Sequence, residues 1–335
     1  MASVGFLKII KNIQKLSIDQ PIIIGFSGWI DSACLLDLLV KAGKKIIVAH
    51  YNHGIRENAD RDEKFSLLHS KRYNALFVSE KSNVKEYALN NNLSIEEAAR
   101  KKRYDFLFRI ARENKSNLIA VAHHADDQVE TVFMHLMRGS GMSGLAGMRE
   151  FTTIPEFDHS IMIYRPLLSI WRDEIEEYCK NNELDFIIDE TNFSTLYERN
   201  RIRQDILPYL IDRYPGLSKR LLNLSNVLQK EDELLQDLTI ESWDSICLEQ
   251  HSKFLRLRSE ELRKLPLALQ RRIIRHAVFS LKPDLRDLSY KNVENVLNFL
   301  QKKSPGEIDL QENIIAVFSS DEIINITKEN HRNSL

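Results

Sequence analysis

The sequence predicts an α/β fold with a doubly wound parallel sheet, followed by a smaller, mainly helical domain. Short apolar runs alternate with segments of helical spacing through the first part of the chain. Four of these runs are predicted to be buried strands, at residues 22–25, 45–50, 76–79 and 118–122. Such alternation favours a parallel sheet covered by helices on both faces, with ligands at the carboxyl ends of the strands.

Helical spacing and one more apolar run complete the first predicted domain, residues 1–215. The further elements are helices at 32–41, 59–73, 84 to about 113 and 171–181, and a strand at 161–164. Residues 216–335 form the second predicted domain. Its pattern is mainly helical up to about residue 299, and two β-rich runs follow at 314–318 and 323–326.

The composition points to no particular macromolecular partner. The net charge is −1 over 335 residues, so any surface for nucleic acid must be a local patch. The cysteines at 34, 179 and 247 form neither a CxxC pair nor a zinc-ligand spacing, as is usual in a reducing compartment. The N-terminus, MASVGFLKIIKNIQKL, has the pattern of a short amphipathic helix rather than of a signal peptide. We therefore expect a cytoplasmic protein.

A turn of small and polar residues, SGWIDS, joins the first predicted strand to the first predicted helix. It lacks the Gly-Lys-Ser/Thr ending of a Walker A loop. Backbone N–H groups at a helix N-terminus nevertheless bind anions with the help of the helix dipole. Ser27 and Ser32 can donate to phosphate, and Asp31 can ligate Mg²⁺ through oxygen. Ordinary helix capping by these residues is the competing interpretation.

A dense group of ionisable residues, HHADDQVET at 123–131, follows the fourth predicted strand. On a helix, His123 and Asp127 are four residues apart, as are Asp126 and Glu130, so polar groups share neighbouring faces. Three interpretations stay open: a metal site, an acidic pocket for a cationic substrate, and a capped, solvated helix start.

Basic residues gather in three segments of the chain. Arg199, Arg201 and Arg203 alternate in YERNRIR, and binding to a phosphate backbone needs such local charge. In EEAARKKRYDF, Arg100 and Arg103 could reach a phosphate or a carboxylate. A third group, between residues 253 and 275, is explained nearly as well by solvated helix faces.

Together these segments resemble the tRNA(Ile)-lysidine synthase family, part of the PP-loop ATP-pyrophosphatase superfamily with its adenine nucleotide α-hydrolase-like fold. The resemblance covers residues 20 to about 215, with weaker support beyond. It rests on SGWIDS, AHYNHGIRENADRDE, EEAARKKRYDF, AHHADDQVETVFMHLMRGSGMSGLAGM, RPLL and NFSTLYERNRIRQDILPYL. It implies an ATP-binding catalytic first domain and a tRNA-binding second domain.

The resemblance implies ATP-dependent ligation of free L-lysine to C2 of the wobble cytidine in tRNA(Ile) with a CAU anticodon. The cytidine is adenylated first, and lysine then displaces AMP; pyrophosphate is the other product. ATP and Mg²⁺ are the implied cofactors. Lysine and this tRNA are the implied partners, no membrane is involved, and a homodimer stays open.

The site residues are carried over from the same resemblance. ATP binding is implied for Ser27, Gly28, Trp29, Ile30, Asp31, Ser32 and His53, with Asp31 as the Mg²⁺ ligand. The implied catalytic residues are Asp31 and Asp127. Lysine binding is implied for Arg103, His123, Asp127 and Glu130, and tRNA binding for Arg199, Arg201 and Arg203.

The chain departs from the family at Trp29, where the family's turn, Ser-Gly-Gly-x-Asp-Ser, has its second glycine. Glycine serves where φ is positive or where a phosphate approaches the backbone. A bulky residue at positive φ would cost about 1–2 kcal/mol, and the indole could block the pyrophosphate. We expect a turn of intact shape with reduced activity.

Three alternatives compete with this prediction. A thiolating PP-loop tRNA enzyme usually needs catalytic cysteines, often as CxxC, and the three scattered cysteines do not provide them. A metal-dependent hydrolase built on HHADD would leave the turn and the basic segments unexplained. A tRNA-binding protein impaired at the ATP site is favoured by Trp29 alone.

Overall fold

The computed structural model describes residues 4–54, 59–187, 198–283, 288–302, 305–311, 313–318 and 322–328. The chain divides into two compact units, Met1–Gln229 and Lys230–Leu335. Among the described helices, none has the length and apolar character needed to cross a membrane.

The first unit is built on a six-stranded sheet with the order β3-β2-β1-β4-β6-β5. Its strands are β1 Ile22–Gly25, β2 Ile46–Asn52, β3 Leu76–Lys81, β4 Leu118–Ala120, β5 Phe151–Ile154 and β6 Asp158–Tyr164. All pairs are parallel except that of β5 with β6. Ile23 of the central β1 is in register with Ile47 of β2 and Ile119 of β4. The predicted parallel sheet is confirmed, and β5 was not predicted.

Helices connect these strands and cover both faces of the sheet. They are α1 Val4–Lys15, α2 Ile30–Lys41, α3 Ala59–Arg72, α4 Val84–Asn90, α5 Ile95–Glu113, α6 Ala125–Met137, α7 Met142–Leu145, α8 Arg172–Asn181, α9 Glu198–Arg201 and α10 Leu207–Arg213, with a π-helical turn, Ile202–Ile206, between the last two. Ile22 and Ile24 pack with α1, α2 and α8, whereas Ile23 packs with α5. Neighbouring strand residues point to opposite faces, so both faces of the sheet bury apolar side chains.

The prediction of one helix over residues 84 to about 113 is wrong, because the segment forms α4 and α5. The break contains Asn92, whose φ of 52° lies in the left-handed region that asparagine tolerates. Ser94 then begins α5 with a capping box. Its hydroxyl accepts from the N–H of Glu97 at 3.2 Å, and the Glu97 carboxylate accepts from the N–H of Ser94 at 3.1 Å.

The second unit contains a five-stranded antiparallel sheet with the order β7-β8-β11-β10-β9. Its elements are the last part of α11 Leu217–Ile246, β7 Cys247–Gln250, β8 Phe254–Arg258, α12 Ser259–Lys264, α13 Leu267–Leu281, α14 Tyr290–Lys302, β9 Gly306–Gln311, β10 Ile314–Phe318 and β11 Ile323–Lys328. Ile273 of α13, Val296 of α14 and Ile326 of β11 share its core.

Helices contribute more residues than strands to this unit, but its sheet is larger than the sequence predicted. The predicted runs are confirmed as β10 and β11, whereas β7 and β8 lie in a stretch that was predicted to be helical. The two units divide within α11. The boundary between residues 215 and 216 stays a prediction.

Candidate active site

The candidate site lies at the carboxyl edge of the first sheet, between β1 and β4. These strands are neighbours, but β1 leads through α2 to β2 on one side, and β4 leads through α6 to β5 and β6 on the other. Ligands of doubly wound folds bind at such a switch point. The turn at 27–32 follows β1 and the segment 123–131 follows β4. His124 Nε2 and Asp31 Oδ1, 3.9 Å apart, show that the two segments meet.

Gly28 is the residue of the turn that needs glycine. Its φ is +86°, and a Cβ there would lie 2.7 Å from Cδ1 of Ile187. Trp29 has φ −80° and ψ 164°, an ordinary extended conformation in which it precedes α2. Ile187 holds the turn by donating its N–H to the carbonyl of Gly28 at 2.9 Å. The backbone strain considered for Trp29 is therefore wrong.

The hydroxyl groups of Ser27 and Ser32 form hydrogen bonds within the turn. Ser32 Oγ donates to the carbonyl of Trp29 at 2.8 Å and lies 3.1 Å from Ser27 Oγ. Ser27 Oγ also accepts from the N–H of Trp29 at 3.3 Å. Ser27 is exposed, while Ile30 and Ser32 are buried in the first turn of α2. The arrangement presents a hydroxyl and the N-terminus of a 12-residue helix to the crevice, which suits an anion.

Asp31 presents one carboxylate oxygen to the site and has the other one paired. Its Oδ2 accepts from Arg172 Nη1 at 2.9 Å. Its Oδ1 is buried without a hydrogen-bond partner. Burial raises the pKa of Asp31 above its ordinary value, although His124 and Arg172 oppose this shift. A buried, unpartnered carboxylate oxygen fits a hard cation, and Mg²⁺ typically takes one or two carboxylates together with substrate phosphates.

His124 connects the first turns of α2 and α6. Its Nδ1 lies 3.2 Å from Asp126 Oδ2, and its Nε2 lies 3.5 Å from Asp127 Oδ2. Burial alone would lower the pKa of His124, but the negative charges of Asp127, Asp31 and Asp126 outweigh it, so the pKa is raised. Within the described ranges, no group of three or more His, Cys, Asp or Glu side chains is arranged to hold a metal ion.

Two predicted groups, the acidic pair and the arginines of YERNRIR, come together at α6. Arg199 donates from Nη2 to Asp127 Oδ1 at 3.1 Å and from Nε to Glu130 Oε2 at 2.9 Å. Arg203 donates from Nη2 to Asp127 Oδ1 at 2.9 Å and to Glu130 Oε2 at 3.1 Å. Asp127 and Glu130 are buried, with 9% and 2% of their surface exposed. The carboxylates expected to bind lysine are therefore already paired.

This pairing decides the protonation of Asp127. Burial alone would raise its pKa, but the positive charges of His124, Arg199 and Arg203 hold the pKa well below its usual range. The pKa of Arg203 is raised, because its bonds to the carboxylates outweigh its burial.

The remaining predicted residues lie around these groups. His53 follows β2 directly, with its ring centroid 5.0 Å from that of Tyr51. Arg103 lies on α5, close enough to His123 for its charge to act there. Burial lowers the pKa of His123 to about 3, with Arg165 and Arg103 adding to the effect and Asp127 opposing it. Arg201 is exposed on α9. Their predicted roles stay predictions.

Arg172 also belongs to the candidate site, although its sequence context did not single it out. It begins α8, where its backbone N–H donates to Asp126 Oδ2 at 2.9 Å and its side chain reaches Asp31. The first turns of α2, α6 and α8 thus converge on one residue. The available signal was its position at the start of the predicted helix 171–181, after the RPLL motif.

Two family models match parts of the chain. A family model described as a PP-loop domain matches residues 4–210, and one described as a TilS substrate binding domain matches residues 257–319. The chain is 30% identical to the tRNA(Ile)-lysidine synthase of Clostridioides difficile, covering 97% of this chain and 71% of that protein. It is 34% identical to that of Caldanaerobacter subterraneus, covering 90% of this chain and 65% of that protein.

A solved structure shows the same fold. The U34-tRNA thiolase NcsA from Methanococcus maripaludis has a TM-score of 0.54 and 20% identity, covering 67% of this chain and 80% of that one. The names of the curated relatives favour lysidine formation over thiolation. This chain spans 65–71% of their length. With the PP-loop match over more than half of its residues, the chain belongs to the tRNA(Ile)-lysidine synthase family of PP-loop enzymes.

Proposed function

We propose that this chain uses ATP to join free L-lysine to C2 of the wobble cytidine in tRNA(Ile) with a CAU anticodon. The C2 carbonyl oxygen is adenylated with release of pyrophosphate, and the ε-amine of lysine then displaces AMP. Adenylation is needed because a carbonyl oxygen is otherwise a poor leaving group. The observation that carries the proposal is the buried carboxylate of Asp127 at the same sheet edge as the turn, where His124 lies near both Asp127 and Asp31. The buried Glu130 is joined to Asp127 through Arg199.

The turn and the first residues of α2 are the proposed phosphate site. The exposed Ser27 hydroxyl and the N–H groups at the start of α2 would hold the ATP phosphates. Asp31 would ligate Mg²⁺ through its unpartnered Oδ1. The ion would supply positive charge for the departing pyrophosphate. Trp29 leaves the backbone relaxed, which removes the strain argument for an impaired ATP site.

Asp127 and Glu130 are the proposed partners of the lysine ammonium group. Arg199 and Arg203 already supply the cationic partners that these carboxylates need. Lysine can therefore bind fully only when the guanidinium groups withdraw. Phosphates of the tRNA are suitable alternative acceptors for arginine. We infer that tRNA draws the arginines away and thereby opens the lysine site.

Withdrawal of the two arginines would also make Asp127 a better general base. The arginines keep the pKa of Asp127 well below its usual range. Once they leave, burial raises that pKa and makes the carboxylate a better proton acceptor. The ammonium group of free lysine, with an ordinary pKa of about 10.4, must lose a proton before it attacks. Binding of tRNA would thus couple admission of lysine to its activation.

The second unit is the proposed surface for the rest of the tRNA. Its match to a substrate binding domain over residues 257–319 supports this assignment. We propose residues 1–215 as the catalytic domain and 216–335 as the tRNA-binding domain.

Incubation with ATP, labelled lysine and a CAU-anticodon tRNA(Ile) transcript tests the function. We expect label on the RNA and equal amounts of AMP and pyrophosphate. Asp127→Asn should abolish labelling, whereas Arg72→Met, which removes only an exposed ion pair with Asp185, should not. Tight tRNA binding by the native chain without release of AMP would contradict the proposal and indicate a binding protein.

A further inference from the structure

Helices α2 and α8 pack against each other, and both begin at the candidate site. Side-chain hydrogen bonds join them at both ends and in between. The bonded pairs are Asp31 with Arg172, Asp37 with Tyr178, and Lys41 with Asn182. In each pair the two residues are 141 positions apart. The two helices therefore run parallel and keep one axial register from the site to their C-terminal ends.

The middle pair is buried, and its carboxylate has a donor on each oxygen. Asp37 and Tyr178 expose 5% and 3% of their surface. Oδ2 of Asp37 accepts from the Tyr178 hydroxyl at 2.5 Å and lies 2.7 Å from Lys41 Nζ, while Oδ1 accepts from the Tyr73 hydroxyl at 3.4 Å. Burying a charge is unfavourable unless it is paired and hydrogen-bonded. Sliding α8 along α2 would therefore remove a donor from a buried carboxylate.

The pair at the site is less able to fix the register. The side chain of Arg172 is 37% exposed, and solvent weakens ion pairs of long, exposed side chains. A hydrogen bond to a buried carboxylate contributes more. An α-helix rises about 1.5 Å per residue, so a slip of α8 by one residue would carry the guanidinium group away from Oδ2 of Asp31 or onto its Oδ1. The place of Arg172 thus depends on the buried pair further along the helices.

We propose that Tyr178 and Asp37 are positioning residues for ATP and its metal ion. Their hydrogen bond fixes the register of α8 on α2, so that Arg172 pairs with Oδ2 of Asp31 and leaves Oδ1 free. The inference rests on the proposed function, in which Oδ1 ligates Mg²⁺. Both residues lie in the second half of their helices, so they act through Arg172 and not by touching the substrate.

The test uses Tyr178→Phe, which removes one hydroxyl and keeps the ring that packs on Phe6, with the two centroids 4.3 Å apart. Tyr73→Phe is the matched control, because it also removes a hydroxyl donor from Asp37 but lies outside α8. Titration calorimetry measures the affinity for ATP with Mg²⁺ and with EDTA. We expect Tyr178→Phe to weaken ATP binding about fivefold with Mg²⁺ and less than about twofold with EDTA. Tyr73→Phe should match the native chain under both conditions.

A double-mutant cycle tests whether Tyr178 acts through Arg172. In an Arg172→Met background, Tyr178→Phe should change the affinity for ATP with Mg²⁺ less than about twofold, because the residue that it positions is gone. A loss of about fivefold in that background would overturn the proposal and indicate a general structural role. Equal losses in Tyr178→Phe and Tyr73→Phe, or equal losses with Mg²⁺ and with EDTA, would overturn it as well.

A second variant covers the case in which Tyr178→Phe does not fold. Lys41→Met removes the half-exposed ammonium group that contacts both Asp37 and Tyr178, and it should show the same Mg²⁺-dependent loss. An unchanged affinity with Mg²⁺ in Lys41→Met would then count against the proposal. Native chain that binds ATP with Mg²⁺ but attaches no lysine to RNA marks failure of the proposed function, whereas the affinities of the variants still decide the positioning role.

Discussion

Arg199 bridges Asp127 and Glu130, with its Nη2 3.1 Å from one carboxylate and its Nε 2.9 Å from the other. One guanidinium group thus pairs with both carboxylates that we assign to the cationic end of the substrate. Arg203 repeats the same bridge from the π-helical turn. The guanidinium groups of Arg199 and Arg203 therefore compete with the lysine ammonium group for these two carboxylates.

Replacing Arg199 should relieve this competition. We expect Arg199→Met to bind lysine without tRNA about 10-fold more tightly than the native chain, because hydrogen bonds to charged groups contribute about 1.5–3 kcal/mol. Equilibrium dialysis with labelled lysine measures the affinity, and Arg72→Met serves as the control for loss of an ion pair. Equal lysine affinities of native chain and Arg199→Met would contradict this expectation and show that removing this one bridge does not free the carboxylates.

Arg172 should matter for ATP rather than for lysine. It fixes one oxygen of Asp31, so that the other faces the proposed Mg²⁺ position. We expect Arg172→Met to lower kcat/KM for ATP about 10-fold, with the KM for lysine unchanged. Lys180→Met, an exposed change in the last turn of the same helix, is the matched control. A loss spread equally over ATP and lysine would instead indicate a general structural role.

The turn should tolerate change at Trp29 and not at Gly28. Gly28→Ala places a Cβ 2.7 Å from Ile187 at a φ of +86°, so we expect a loss of about 1–3 kcal/mol in stability and weak ATP binding. Trp29→Gly should change ATP affinity less than about threefold, since Trp29 has no unusual backbone conformation. Urea unfolding and nucleotide titration compare the two variants. A larger loss for Trp29→Gly would contradict the assignment.

His123 should make the native chain sensitive to acid. Its pKa is about 3 in the folded state against 6.5 for an unperturbed histidine. As pH falls from 7.5 to 5, the unfolded chain gains a proton that the folded chain does not, so folding stability falls. We expect the native chain to lose about 1–2 kcal/mol more than His123→Asn over this interval.

Urea unfolding at both pH values measures this difference. His159→Asn, at an exposed histidine of β6, is the control and should follow the native chain. If His123→Asn loses as much stability as the native chain, the histidine is not buried as described.

The sequence predicted local structure more successfully than it predicted which charged side chains pair with each other. The buried run Ile22–Gly25 and the turn after it were found from periodicity, because each is encoded within a few residues. The break at Asn92 was missed, although the Ser94–Glu97 capping box was present in the sequence. The helical spacing of apolar residues on both sides of the break led to the prediction of a single helix.

The pairing of Asp31 with Arg172 joins residues 141 positions apart, and no local pattern encodes it. The same holds for Arg199 with Asp127, which were assigned to different ligands and meet only through the fold. A single sequence identifies the charged groups at strand ends, but tertiary packing decides which of them neutralise each other. That is why the acidic pocket was predicted and its occupancy was not.

The consecutive histidines after β4 set a constraint on chain length. The ring of His123 lies near the charges of Arg165 and Arg103, and the ring of His124 lies beside Asp126 and Asp127, because extended backbone alternates its side chains. A residue inserted between the two histidines would turn both rings to the same face, so that one of the two groups of charges would lose its histidine. Natural variants should therefore differ in this link by substitution and not by length.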